Sequence, residues 1–214
     1  MLWAGMQWFG FKKGVAAVNQ CHVGAFLNSS TQTPHPDIQF HFFPVFFDKD
    51  WIPVPTTYGY RIGVGPMRPT SRGSVRLASN KVTDPLHIDP NYMSTAEDFR
   101  VMREAVSLGL EIASQPAFAP FHYREDTPGF QIRSTKQIDD FIRDDAASAY
   151  HPCGTCKMGS ENDDMAVLDS ELRVRGVKHL RVIDASSMPS LPSANINAAT
   201  IMLAEKASDI LLGN

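Results

Sequence analysis

Cysteine is scarce, with three in 214 residues, too few for a disulfide framework. Sparse thiols suit a reducing compartment, and a cytoplasmic location is the expectation, with peripheral attachment to a membrane left open. There is no excess of one charge: 20 Lys and Arg against 23 Asp and Glu leave a net charge of −3. A chain without a basic surplus is a poor match for nucleic acid. No apolar run approaches the ~18 residues that span a bilayer, so no transmembrane segment is expected. The opening MLWAGMQWFGFKK places its lysines after the apolar stretch, the reverse of a secretory signal, and no targeting peptide is read there. The only Gly-x-Gly, Gly63-Val-Gly65, continues as Pro-Met-Arg-Pro and does not enter a helix, so a dinucleotide fingerprint is also lacking.

What is present reads as an ordinary globular composition, 43% hydrophobic and 20% charged. Residues 1–30 mix Gly, Trp, Phe and Ala without clear periodicity. From Asp37, DIQFHFFPVFF alternates, with Ile38, Phe40 and Phe42 on one face and Gln39 and His41 on the other. Pro44 confines that strand to an edge or breaks it. Further strands are read in YGYRIGVGPM and at 75–77, and DPLHIDPNYM is read as loop. Ser94-Thr-Ala-Glu97 fits a capping box opening a helix, with Phe99, Met102, Val106 and Leu110 on one face and Pro116 ending it. A second box, Ser134 to Gln137, opens a shorter helix with Ile138, Phe141 and Ile142 inward. After Tyr150 come a glycine-punctuated loop, the strand-like LRVID, a Pro/Ser loop, and a helix from about Asn197 to Leu212 stopped by Gly213. Locally paired strands followed by helices predict an α+β fold, an antiparallel sheet backed by helices, over residues 1–148. Residues 149–214 have a different character and are assigned to another domain.

Three features could carry chemistry. Cys153-Gly-Thr-Cys156 could be half a zinc site or a thiol–disulfide couple, but no second ligand pair stands at metal spacing and no upstream His-x-Glu supports a deaminase. The plainer reading is two small buried thiols, and no metal is expected. His151 stands in a Gly/Thr-rich irregular loop, the kind of segment that presents functional groups. A strand ending in Asp184, a loop, and a helix start at Asn197 would suit a negative group at the helix amides; an ordinary helix with an Asn cap fits as well.

Taken together, Tyr150-His-Pro-Cys-Gly-Thr-Cys-Lys-Met-Gly159, Arg181-Val-Ile-Asp-Ala-Ser-Ser-Met-Pro189, Asn195-Ile-Asn-Ala-Ala-Thr200 and Ala204-Glu-Lys206 resemble, in order and spacing, the C-terminal signature of the glucose-methanol-choline (GMC) flavin-dependent oxidoreductases. Pro69-Thr-Ser-Arg-Gly-Ser-Val75, Asn91-Tyr-Met-Ser94 and Gly24-Ala-Phe26 extend the resemblance over nearly the whole chain. The resemblance implies FAD as cofactor and hydride transfer from a primary alcohol to flavin N5. It implies that His151 is the acid/base, with Asn195 as its partner. It places Asp184 and Ala185 along the cofactor's diphosphate and ribityl chain, and Asn197, Ala198 and Thr200 beneath the flavin ring. Where choline-type members carry a glutamate two residues before the glycine matching Gly24, this chain has His22, so a neutral alcohol is expected over choline.

The family's Gly-rich ADP-binding loop would precede Met1. A C-terminal fragment that holds FAD weakly by itself is therefore expected, with a separate FAD-domain polypeptide as its partner. Two other readings stand beside this one: a non-catalytic remnant or split-gene interaction subunit, and a CxxC metal or redox protein.

Overall fold

The alternation at 38–43 becomes the central strand of a three-stranded antiparallel sheet. This is seen in a computed structural model that describes residues 2–17, 19, 21, 23–48, 51–54, 56–129, 132, 134–193 and 195–213. Strand β2 (Ile38–Phe43) lies between β1 (Val23–Leu27) and β3 (Arg61–Pro66), with Phe40 opposite both Ala25 and Val64. Pro44 therefore acts as a stop rather than as a mark of an edge strand. Ile38 and Phe40 are buried on one face, the former completely, each worth roughly 2–3 kcal/mol of apolar burial. They pack against Val101 and Ala105, with Met102, Leu108 and Ile112 alongside. Those five residues belong to the helix over Ala96–Ala113. The α+β expectation, an antiparallel sheet backed by helices, is met. The helix centres its stripe on 101, 105, 108 and 112, turned from the expected 99, 102, 106 and 110, although Met102 packs on the same core and Val106 is also buried.

Two segments were not legible in the N-terminal 30 residues: α1 (Leu2–Phe11) and β1 itself. Helix α1 is apolar on every side, so it shows no period to read. It leaves Leu2, Trp3, Met6, Phe9 and Phe11 exposed. The ammonium of Lys12 sits 4.9 Å from the Trp8 ring centroid.

The helix over 96–113, α2, is capped one residue later than the box predicted. Thr95 Oγ1 accepts the Asp98 amide at 3.2 Å, and the Phe99 amide donates to the Thr95 carbonyl. The Ser94 amide instead donates to Ser71 Oγ. At α3 (Thr135–Asp145) the predicted box is reciprocal: the Gln137 amide donates to Ser134 Oγ, and Gln137 Oε1 accepts from the Ser134 amide. Ile138 and Ile142 are buried there.

Contacts group the chain into two compact units, Met1–Pro66 with Val101–Asp145, and Met67–Arg100 with Ala146–Asn214. The break at 145/146 falls three residues before the division read from the sequence, and residues 67–100 sit in the second unit. That unit contains a ribbon of β4 (Ser74–Arg76) and β5 (His87–Asp89), the latter within the stretch read as loop; three exposed residues flanked by prolines give too short a pattern to recognise. Its core is Leu168, Leu172 and Ala207, with Leu203 and Val182 packed on them. Ala207 and Leu203 belong to α4 (Asn197–Leu212), which ends at Gly213 in the left-handed conformation (φ 74°), as expected.

The strand expected over LRVID is not formed. Arg181 makes one isolated bridge to Arg173, and the Val182 amide donates to the Leu172 carbonyl. Left-handed backbone at Leu172 (φ 62°) and His179 (φ 61°) curls both segments out of extended pairing.

Candidate functional site

His151 and Asn195, 44 positions apart in the sequence, meet in the second unit. Asn195 Nδ2 lies 2.6 Å from His151 Nε2. An amide nitrogen can only donate, so in this arrangement Nε2 offers its lone pair and the ring proton sits on Nδ1. Asn195 is exposed and His151 half-buried, so the pair opens to solvent.

Backbone pairing holds the His151 loop. The amides of Gly154, Cys156 and Met158 donate in turn to the carbonyls of Ala185, Ser186 and Ser187, at 3.3, 2.9 and 2.9 Å. The HPCGTCKMG and DASSMP segments are thus clasped main chain to main chain. Gly154 has φ 87°, and a Cβ there would stand 3.3 Å from the Met188 carbonyl oxygen, so this position favours glycine twice over. On the other side, Ile196 is buried and opens α4, which holds the residue before it at the helix mouth.

Asp184 caps the short turn Ala185–Ser187, accepting from the Ser186 amide at 2.8 Å and from the Ser186 hydroxyl. Its carboxylate is therefore engaged locally, while the Ala185 carbonyl serves the clasp. Asn197 and Ala198 are exposed in the first turn of α4, whose N-cap residue, Ile196, makes no side-chain cap bond. The N-cap position is Ile196 rather than Asn197, which is already helical, and a helix start whose N-cap residue makes no side-chain bond suits a group outside the helix. Thr200 turns inward, its hydroxyl donating to the Ile196 carbonyl at 2.9 Å. His22 lies outside the described residues.

Cys153 and Cys156 are free thiols, partly rather than fully buried. Burial pushes the Cys153 thiol up, with the Arg72 charge pulling it back. Among the described residues no cluster of three or more His, Cys, Asp or Glu could hold a metal. No helix among them is long and apolar enough to cross a membrane.

Sequence reading missed Arg68 and Asp98. Arg68 Nε donates to Ser193 Oγ at 2.7 Å, two residues before Asn195. Asp98 is buried, and its signal was its position three residues after Thr95 in a helix's first turn.

Comparison with known proteins gives this geometry a setting. The family profile described as GMC oxidoreductase matches residues 69–204. Mitochondrial choline dehydrogenase of Homo sapiens is 48% identical over 210 residues, covering 98% of this chain and 35% of that protein. The chain thus spans about a third of that relative's length. Pyridoxine 4-oxidase from Mesorbium loti superimposes with a TM-score of 0.83 at 31% identity, over 92% of this chain and 39% of the other. An FAD-dependent oxidoreductase from Chaetomium thermophilum gives 0.68 at 26% identity, over 83% and 28%. With the motif order, the clasped loops and these matches in agreement, the chain belongs to the GMC oxidoreductase family.

Proposed function

We propose that this chain supplies the acid–base pair and the substrate-side elements of an FAD-dependent oxidoreductase acting on the CH–OH group of a primary alcohol. The 2.6 Å approach of His151 Nε2 and Asn195 Nδ2 carries the reading. An alcohol oxygen that displaces this direct bond, the two side chains parting to admit it, donates its proton to Nε2 and accepts from Nδ2. His151 is then the base, and Asn195 the donor that stabilises alkoxide character as the carbon–hydrogen bond breaks. The alcohol carbon loses a hydride and the oxygen a proton, leaving an aldehyde. Asn197 and Ala198 at the start of α4, with Asp184 and Ala185 on the clasp, would hold the flavin side of FAD. Bound FAD supplies the hydride acceptor.

In this reading residues 1–148 serve the substrate, and 149–214 carry the active-site loop and flavin-side elements. The adenosine side is held by a Gly-x-Gly-x-x-Gly sequence that these 214 residues do not contain. We propose a polypeptide bearing that fingerprint as the partner that supplies it. The human relative's name gives choline as its substrate. His22, a poorer partner for a permanent cation than the family's glutamate, makes a neutral primary alcohol the preferred substrate here.

The test is anaerobic bleaching of the flavin band by alcohols, in the chain purified with such a partner. Replacing His151 by Gln should slow bleaching roughly 10²–10⁴-fold while flavin binding is kept. Bleaching at the unsubstituted rate would overturn the role given to His151. Choline displacing neutral alcohols at micromolar concentration would overturn the substrate preference.

A further inference from the structure

The segment 68–72 reaches the flanks of the His151–Asn195 pair, at Ser193 two residues before Asn195 and near Cys153 two residues after His151. It is clamped from below by Asp98, only 2% exposed. Asp98 Oδ1 accepts from the Thr70 amide at 2.7 Å and the Thr70 hydroxyl at 2.9 Å. Its Oδ2 accepts from the Ser71 amide at 2.9 Å and from the Ser71 hydroxyl. The hydroxyls form a closed relay. Thr70 Oγ1 gives its proton to Asp98 and accepts from Thr95 Oγ1, which in turn accepts the Asp98 amide. Ser71 Oγ donates to Asp98 and accepts the Ser94 amide. Four donors on one buried carboxylate outnumber what a turn needs to close, and they fix the segment's backbone in position.

From this fixed segment Arg68 reaches out and donates to Ser193 Oγ. At the other end Arg72 folds over its own turn, donating to the carbonyls of Pro69 and Ser71, where its charge is felt at Cys153, two residues from His151.

We infer that Arg68, seated on the Asp98-clamped turn, is a positioning residue for the proposed acid–base pair: through Ser193 it holds the loop that delivers the Asn195 amide to His151 Nε2. This rests on the reading of His151 and Asn195 given above. Arg68 and Ser193 are both exposed, so removing either leaves folding intact, whereas the Asp98 clamp is too deep to serve as a clean probe.

The readout is the ring tautomer of His151 in the 214-residue chain labelled with ¹⁵N at its seven histidines, its signal assigned by loss in H151Q. In the unsubstituted chain Nε2 reads as the unprotonated nitrogen. N195A sets the released limit, with the proton moving toward Nε2. R68A and S193A should each produce most of that displacement. The double variant should add nothing to either, because both cut one link. R68K, whose ammonium can still donate to Ser193, should restore most of the original signal. A purely structural role would change stability without moving the tautomer. If R68A and S193A superimpose on the unsubstituted chain while N195A moves, the brace is refuted and the pair stands. If N195A moves nothing, the pair is refuted, and the functional reading and the brace fall with it.

Discussion

The two compact units are held together by different chemistry. In the first, Ile38 and Phe40 of the central strand meet Val101 and Ala105 of α2, and the interior is almost wholly apolar. In the second, short strands and a small apolar core are supplemented by a buried carboxylate and by loop-to-loop backbone bonds that align the proposed site. Apolar packing asks for shape and tolerates exchange between similar side chains. A hydrogen-bond clamp asks for one donor or acceptor at one place and tolerates little. A site that must hold an imidazole within 2.6 Å of an amide gains more from the second kind of construction.

The largest effect that would sharpen this contrast comes from Asp98→Asn, which keeps the shape but turns an acceptor into a donor against Ser71 or Thr70. The cost should be about 3 kcal/mol, read as a shift in urea midpoint. A cost near zero would break the contrast. The same carboxylate sets a pH dependence. Burial works against its charge, but the hydroxyls and amides of Ser71 and Thr70 outweigh it and hold the Asp98 carboxyl below its ordinary value. A folded pKa below the unfolded one means the contribution is complete above about pH 5 and is lost as pH falls through about 3.9 toward the folded value. Urea melts should therefore show the gap between unsubstituted chain and D98N narrowing below about pH 4. A gap that widens on acidification would contradict the clamp.

Smaller effects belong to the apolar unit and to the helix cap. Ile38→Val should cost only about 1 kcal/mol despite complete burial, since the strand keeps its pattern. Thr95→Ala should cost about 1–2 kcal/mol through loss of the α2 cap and of the hydroxyl bond to Thr70, while Ser94→Ala costs close to nothing because Ser94 contributes its amide and not its hydroxyl. Equal costs at 94 and 95 would return the cap to the residue the sequence suggested.

What was readable in advance followed physical regularity. Period-two alternation marked β2, the Ser134–Gln137 box marked α3, and Gly213 marked the end of α4. Helix α1 has no polar face and β5 only three residues, so neither offers a period. LRVID has strand composition, yet its partner segment, only ten residues away, turns left-handed at Leu172, a backbone conformation that composition does not announce. At the site, His151 and Asn195 were legible as a pair through their motifs, and their approach is now a distance. Arg68 and Asp98 were not, because what they do is visible only once residues 68–72, 98 and 193 lie side by side.

The rungs joining 154, 156 and 158 to 185, 186 and 187 consist of peptide atoms alone. Side chains along both rails can therefore drift, provided Gly154 keeps its backbone freedom, without loosening the loop that bears the imidazole. A descendant of this scaffold could change its chemistry by exchanging the residues at 151 and 195 and inherit the mount unchanged.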